Sequence, residues 1–342
     1  MTERDHADNI TIPEAPSLPG LRFRRFRGPS DLPGMVEVIT AAHRADKVDF
    51  FMTVDDLAHD LDHAVNEDTA RDLIVAEIDG RIVAYARASW SIRDGQYTYV
   101  SGGEVDPSVR RRGIGRALLH AEQERLRSIA ATHPPDLPKR LQAWTFGGQV
   151  GTRALLHADG YETIRYFSEM ARSLADPIPD RALPDGLEIR PVAPADHRRI
   201  FDAEAEAFRD HWGYREQTDD DLERMFGYPD IDTSLWRVAW EGDEVAGVIV
   251  TTVPRAENAQ LGTKRGWLDQ ISVRRPWRKR GVASALIVSA MAGLRERGLD
   301  TAMLGVDAEN PTGALRLYEA LGFRVVDHGE VLSRELTPRD GG

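Results

Sequence analysis

The sequence contains no cysteine. Disulfides, thiolate metal sites and a covalent thiol nucleophile are therefore excluded, and no metal is expected. Long apolar runs are missing too: nothing approaches the roughly 20 consecutive apolar residues that span a bilayer. The opening stretch MTERDHADNITIPEAPSLPG has no apolar core of the kind a signal peptide needs. A soluble cytoplasmic protein with no membrane partner is the expectation. Positive charge is in deficit, with 44 Lys and Arg against 56 Asp and Glu and a formal net charge of −12. That balance argues against a nucleic-acid partner, which needs a broad positive surface. With 41% apolar and 29% charged residues, the composition is that of a globular protein, and the length suggests two domains.

Against this acidic background one stretch stands out. In VRRPWRKRGVASALI (273–287), Arg274, Arg275, Arg278, Lys279 and Arg280 precede Gly281 and an apolar run. A second stretch, VDPSVRRRGIGRALL (105–119), repeats the pattern of valine, turn residues, basic triplet, glycine and apolar helix start. The echo extends outward in the same order. LRFRRF (21–26) parallels LEIRPV (187–192), and LIVAEIDGRIVAYA (73–86) parallels WRVAWEGDEVAGVI (236–249) as hairpins. ALLHADGYETI (154–164) parallels RLYEALGFRVV (316–326). One domain of about 155 residues is present twice.

The organisation expected from this is a disordered tail over 1–20, an N-terminal domain over 21–172, a proline-rich linker over 173–186 and a C-terminal domain over 187–337. HPPDLPKR (133–140) reads as an insertion in the first copy. Each copy runs strand, helices, hairpin, strand, turn, helix, strand, helix, strand: an α/β fold with a mixed, mostly antiparallel sheet flanked by helices. In WLDQISV (267–273), period two places Trp267, Asp269, Ile271 and Val273 on one face. In NPTGALRLYEALGF, Asn310 is placed as an N-cap, Pro311 as first helical residue and Gly322 as the left-handed stop.

A strand, a basic glycine turn and a helix together make an anion site. The first N–H groups of a helix lack partners and carry the positive end of its dipole. Gly281 and Ala283 leave room for a ligand against the backbone. Charge comes from Arg278, Lys279 and Arg280, and the target is a phosphate ester of modest size. No Gly-x-x-x-x-Gly-Lys-Ser/Thr loop occurs, and no Gly-x-Gly-x-x-Gly follows a first strand.

Arg278-x-x-Gly281-x-Ala283 and Arg110-x-x-Gly113-x-Gly115 resemble the Arg/Gln-x-x-Gly-x-Gly/Ala signature of the GNAT acyltransferases. The resemblance covers most of 21–336, implying a tandem GNAT protein whose turns hold the pyrophosphate of acetyl-CoA. The residues it assigns to CoA are Ile271, Ser272, Val273, Arg278, Lys279, Arg280, Gly281, Val282, Ala283, Ser284 and Asn310. Their counterparts in the first copy are Val105, Arg110, Arg111, Arg112, Gly113, Ile114 and Gly115. Backbone donors near Ile271–Val273, where the fourth strand leaves the fifth, are implied to stabilise the oxyanion. A tyrosine after the fifth strand, here Tyr318, is implied as the acid that protonates the leaving thiolate; by periodicity alone it is a core residue. In the first copy Leu156 stands opposite Tyr318 and Gly148 opposite Asn310, so that copy resembles a catalytically degenerate domain. Many relatives carry a glutamate near the start of the fourth strand, where this chain has Trp267. Asp269 and His211 are the candidate bases.

The expected activity is transfer of acetyl from acetyl-CoA to a primary amine of a small molecule or peptide, by direct attack in a ternary complex. The alternative is a non-catalytic CoA-binding regulatory or scaffold protein. An acidic, aromatic acceptor wall (Asp210, His211, Trp212, Tyr214, Asp219–Asp221, Glu223) suits a cationic amine; a solvated helix start explains the aspartates equally well. The tandem arrangement also resembles that of mycothiol synthases, which acetylate an amino-sugar conjugate. The oligomeric state is open between a pseudo-dimeric monomer and a homodimer; pairing of the strand after each last helix across the copies would make the chain a self-contained monomer.

Overall fold

The computed structural model describes residues 9–229, 231–310 and 313–337. The chain divides into two compact units, Met1–Ile164 with Glu330–Gly342, and Arg165–Gly329.

The first unit begins with β1 (Asn9–Ile10), β2 (Leu21–Arg25), α1 (Leu32–Asp46), α2 (Val54–Asp62) and α3 (Thr69–Asp72). It continues through β3 (Leu73–Ile78), β4 (Arg81–Arg93), β5 (Gln96–Val105), α4 (Ile114–Ala130), β6 (Lys139–Phe146) and α5 (Val150–Ala158). Strands β1 to β5 pair antiparallel in chain order, and β5 pairs parallel with β6. The two faces of β4 are used separately. Ala84 and Ala86 pack with Ile114, Ala117 and Leu118 of α4, while Tyr85 packs with Leu32, Met35 and Ile39 of α1. Small residues at 84, 86 and 88 let α4 lie close to the sheet.

Next come β7 (Glu162–Ser173), β8 (Glu188–Arg190), α6 (His197–Phe208), α7 (Asp219–Gly227), β9 (Arg237–Glu241), β10 (Glu244–Thr252) and α8 (Arg255–Leu261). The chain continues through β11 (Arg265–Val273), α9 (Val282–Glu296), β12 (Thr301–Asp307), α10 (Ala314–Ala320) and β13 (Arg324–Glu335). Strands β8 to β11 pair antiparallel and β11 pairs parallel with β12. The core joins Val248 and Ile249 of β10 to Leu286, Ile287 and Met291 of α9 and to Phe323.

The units do not follow the chain-order boundaries at 172 and 187. Residues Phe167–Ser173 of β7 pair antiparallel with β12, Ser173 opposite Thr301 and Phe167 opposite Asp307, inside the second unit. The chain from Glu330 belongs to the first unit, where the Leu336 N–H donates to the Lys139 carbonyl (2.9 Å). Leu332 and Leu336 enter the core there with Tyr99, Leu141 and Tyr161. Each unit thus takes the strand that follows the last helix of the other half of the sequence, β13 lying beside β6 and β7 beside β12.

Two further expectations are corrected. Residues 9–20, expected as tail, are in place: Asn9 and Ile10 pair with Arg24 and Phe23, and Ile12 is buried with Phe23 and Val109. Apolar residues at 10, 12 and 18 supply enough burial to order the segment; residues 1–8 lie outside the described ones. The last helix starts at Ala314 with Gly313 (φ 76°) as its cap, so Asn310 is not its N-cap. Asn310 stands in the turn after β12, its N–H donating to the Asp307 carbonyl (3.1 Å), and Pro311 lies outside the described residues. Gly322 does close the helix, with φ 93°. Among the described residues no helix is long and apolar enough to cross a membrane.

Candidate functional site

Both basic turns have one backbone design. Arg111 and Gly113 in the first unit, and Lys279 and Gly281 in the second, have positive φ of 62°, 92°, 63° and 91°. Alternating left-handed residues of this kind turn successive N–H groups inward as an anion-binding nest, and α4 and α9 follow immediately with their unpaired N–H groups. A β-carbon built at Gly281 meets nothing within 4 Å, so the ground above the turn is open. Holding Arg111 and Lys279 at positive φ costs of order 1 kcal/mol each. Recurrence of that strain in both units fits a binding function.

The first arginine of each triplet does something other than expected. Arg278 donates from Nε to the Val273 carbonyl (2.9 Å), from Nη1 to Asp210 (2.6 Å) and from Nη2 to the Ala207 carbonyl (2.9 Å). Arg110 repeats this with the Val105 carbonyl (3.0 Å) and a two-pronged pair to Asp46 (2.6 and 2.9 Å). These guanidiniums therefore tie the turn to the end of the preceding acceptor-side helix. Asp210, which also takes Arg275, is held well below the usual carboxylate range by the two guanidiniums. Among the described residues Arg111, Arg112 and Lys279 have no ion-pair partner, while Arg280 reaches Glu241 (3.2 Å).

Beyond each turn the sheet opens. In the second unit β11 and β12 pair only at Arg265–Thr301, Gly266–Ala302 and Trp267–Met303, so the edge of Leu268–Val273 facing β12 is unpaired. In the first unit β5 and β6 pair only from Tyr97–Lys139 to Val100–Gln142. A cavity of about 460 Å³ fills that opening, lined by the Arg110–Arg111–Gly113 turn, Ser101–Val105, Gly115, Leu119, Glu122, Ala143 and Leu156.

The two openings differ where chemistry would occur. In the second unit the β10–β11 register slips between Val250, opposite Gln270, and Thr251, opposite Leu268. Asp269 is the extra residue of a β-bulge. The bulge breaks the period-two reading. Trp267 stays opposite Thr252, whereas Ile271 and Val273 turn to the other face, toward α9. Asp269 reaches Thr252, whose hydroxyl donates to its Oδ2 (2.6 Å). Solvent reaches the Asp269 carboxyl, but it lies deep among protein atoms, and that desolvation pushes it up to about 6. The β4–β5 ladder of the first unit carries no such slip.

Tyr318 lies on α10, 6% exposed, edge-on to Phe323 at 6.2 Å. Among the described residues its hydroxyl has no hydrogen-bond partner, and burial pushes it up to about 12. Leu156, its counterpart, is buried in the first unit's core. His211 follows α6 against the Phe208 ring (4.4 Å), and burial, aided by Arg278, lowers its pKa, so it is neutral at neutral pH. No hydrogen bond joins His211 to Asp269 or Tyr318 among the described residues. The acidic run is a helix start: Thr218 and Asp221 form a capping box, Asp221 pairs with Arg215 and Asp219 with Arg198. The aromatic wall is Trp212, with Phe167 at 6.1 Å and the Arg165 guanidinium 5.6 Å from its ring; Arg165 also pairs with Asp307 (2.7 Å).

Sequence reading missed Glu204. It is 7% exposed on the sheet side of α6 with Ile200, Phe201 and Ala207, and desolvation alone raises it to about 7. Its place in the i, i+4 stripe of Ile200 and Glu204 is the signal that was available. The fold favours its protonated form, so stability present below pH 4 is lost as pH rises through about 7. Glu204→Gln is expected to raise stability by a few kcal/mol at pH 8 and little at pH 4, measured by denaturant melts at both.

The Acetyltransferase (GNAT) family profile matches residues 39–137 and 197–323, one segment in each half of the sequence. The chain belongs to the GNAT acetyltransferase family. A mycothiol acetyltransferase of Geodermatophilus obscurus is 32% identical over 259 residues, 74% of this chain and 79% of the relative. One from Streptomyces scabiei is 35% identical over 221 residues, 64% and 66% of the two chains. Among solved structures, a GCN5-related N-acetyltransferase from Sphaerobacter thermophilus is similar at TM-score 0.70 and 26% identity, over 96% of this chain and 98% of that one. A tandem GNAT protein of the clavulanic acid pathway shares the fold, with TM-score 0.65 and 18% identity over 94% and 100%. The chain is an acetyltransferase, and its family takes acetyl from acetyl-CoA.

Proposed function

We propose that this acetyltransferase acetylates a primary amine by direct attack in a ternary complex, that chemistry resides in the second unit, and that the product is mycothiol. The observation that carries the placement is the conjunction, in the second unit only, of a bulged Asp269, an open strand edge and a buried Tyr318. The acceptor rests on the mycothiol acetyltransferase relatives, which match 74% and 64% of the chain.

Acetyl-CoA supplies the acetyl group as a thioester, and the nest at Lys279–Gly281 with the first turn of α9 suits its pyrophosphate. Lys279 and Arg280 add charge there; Arg278 positions the turn. Backbone N–H groups of Leu268–Val273 are fixed donors for a developing oxyanion, a contribution typically worth about 3 kcal/mol. Asp269 takes a proton from the amine, directly or through water, and Thr252 orients its carboxyl. Neutral Tyr318, with no competing hydrogen bond among the described residues, gives its proton to the departing thiolate. Trp212 offers a flat apolar platform for the acceptor, and the Arg165–Asp307 pair offers polar groups beside it.

The first unit has the nest and the cavity, but leucine in place of the acid and no bulge in its β4–β5 ladder. We read it as a CoA-binding domain without transfer activity. The test is incubation of the protein with acetyl-CoA and des-acetyl mycothiol, followed by mass spectrometry. Stoichiometric CoA and acetylated product support the assignment. Turnover of other amines without this one would keep the chemistry and remove the acceptor.

A further inference from the structure

The second unit holds one buried charge without an ion pair. Arg172, near the end of β7, is 5% exposed. Among the described residues no carboxylate is in ion-pair contact with it, Asp176 acting only from further off. Taking a guanidinium out of water is costly unless its donors are met. Here all of them go to the main chain. Nε donates to the Leu321 carbonyl (2.6 Å), Nη1 to the Ser173 carbonyl (3.0 Å) and Nη2 to the Pro177 carbonyl (2.8 Å). The approach is close: a β-carbon built at Gly322 would stand 2.9 Å from the Arg172 Nε. Leu321 caps the C-terminal end of α10, so the guanidinium meets a helix-end carbonyl that has no partner within the helix.

That helix needs to be held. α10 has 7 residues, and no side chain caps its start at Gly313. Helices shorter than about 12 residues are marginal by themselves. Its far end closes through the Leu321 N–H to the Leu317 and Tyr318 carbonyls (3.1 Å each) and the Phe323 N–H to the Tyr318 carbonyl (3.0 Å). Tyr318 is therefore bonded directly to the residue that Arg172 grips. Its hydroxyl has no partner among the described residues, so where the helix sits decides where the hydroxyl points. The first unit repeats the device. Arg334 of β13 donates to the Asp159 carbonyl at the end of α5, and it also meets the Asp159 carboxyl (3.0 Å) and Gln123 (3.0 Å). That helix carries Leu156. Each arginine stands on an exchanged strand, two places before a buried leucine, Leu174 or Leu336. Arg172 thus comes from the first half of the sequence and Tyr318 from the second.

We propose that Arg172 is a positioning residue for the transfer: it fixes the C-terminal end of α10 so that Tyr318 points at the departing thiolate, and the first half of the sequence thereby completes the site of the second. This rests on the reading of Tyr318 as the acid. The test uses the full-length protein with acetyl-CoA and des-acetyl mycothiol. Arg172→Lys keeps the charge and loses the three-way fork. It is expected to lower kcat by about 30-fold with the KM for acetyl-CoA within about threefold, since a misplacement of about 1 Å costs up to about 100-fold. Added to Tyr318→Phe, it is expected to cost no more than about a further twofold, because changes that act through one group are not additive. Arg334→Lys, the matched change in the first unit, is expected to lower Tm by a similar amount and to keep kcat within about threefold. Hydrogen exchange, which needs no acceptor, is expected to quicken over 317–323 in Arg172→Lys and not in Arg334→Lys. Equal kcat losses in the two arginine variants would overturn the proposal in favour of a structural role. Additive losses from Arg172→Lys and Tyr318→Phe, an unchanged kcat in Arg172→Lys, or unchanged exchange over 317–323 would overturn it and leave Tyr318 as the acid. An unchanged kcat in Tyr318→Phe itself would remove the acid reading and this proposal with it.

Discussion

Tyr318→Phe is expected to lower kcat by about 100-fold while leaving the KM for acetyl-CoA within about threefold. The magnitude is that of one positioned proton donor, typically 10² to 10⁴. The pattern follows from where the hydroxyl stands. Among the described residues it has no partner, so its removal disturbs no hydrogen bond there, and the ring packing against Phe323 is kept by phenylalanine. Stability should therefore be unchanged or slightly higher. A purely structural tyrosine makes the opposite prediction, unchanged kcat. Steady-state kinetics with a thermal melt on the same sample decides between them.

The second large effect is at Asp269. A base must be ionised to act, and desolvation by the surrounding protein atoms pushes this carboxyl up to about 6. The kcat/KM profile is expected to rise with pH through about 6 and level off above it, since that profile reports free-enzyme groups. Asp269→Asn should cost about 100-fold at pH 7.5 and abolish the acidic limb. His211, also neutral above its lowered pKa, is the rival. A limb that survives in Asp269→Asn and disappears in His211→Gln would transfer the role to the histidine. Thr252→Val should move the limb upward, because the hydrogen bond to Oδ2 favours the ionised form.

The repeat, the mixed sheet and both turns were legible in the sequence because each rests on local chemistry. Gly113 and Gly281 are obligatory where φ exceeds 90°, and the apolar period behind them fixes a helix. Three features were not legible because they are tertiary. The bulge at Asp269 is set by pairing with β10, so alternation alone put Ile271 and Val273 on the wrong face. Arg110 and Arg278 look like phosphate ligands in sequence, yet Asp46 and Asp210, more than sixty residues away, claim them. The exchange of closing strands, which the sequence offered as one of two arrangements, depends on which edge is open, so a linear reading could not choose between them. Glu204 and Glu122 sit on apolar helix stripes, where a single acid among core residues is a mark of something the fold must tolerate.

The most direct test of the central claim is transfer by the Ala283→Trp protein, with bound acetyl-CoA counted on the same sample by native mass spectrometry. With the second turn blocked and the first intact, one equivalent should still bind and acetylated product should fall at least about 1000-fold. Product formation near the wild-type rate would contradict the account, because the chemistry would then belong to the unit that has leucine at 156.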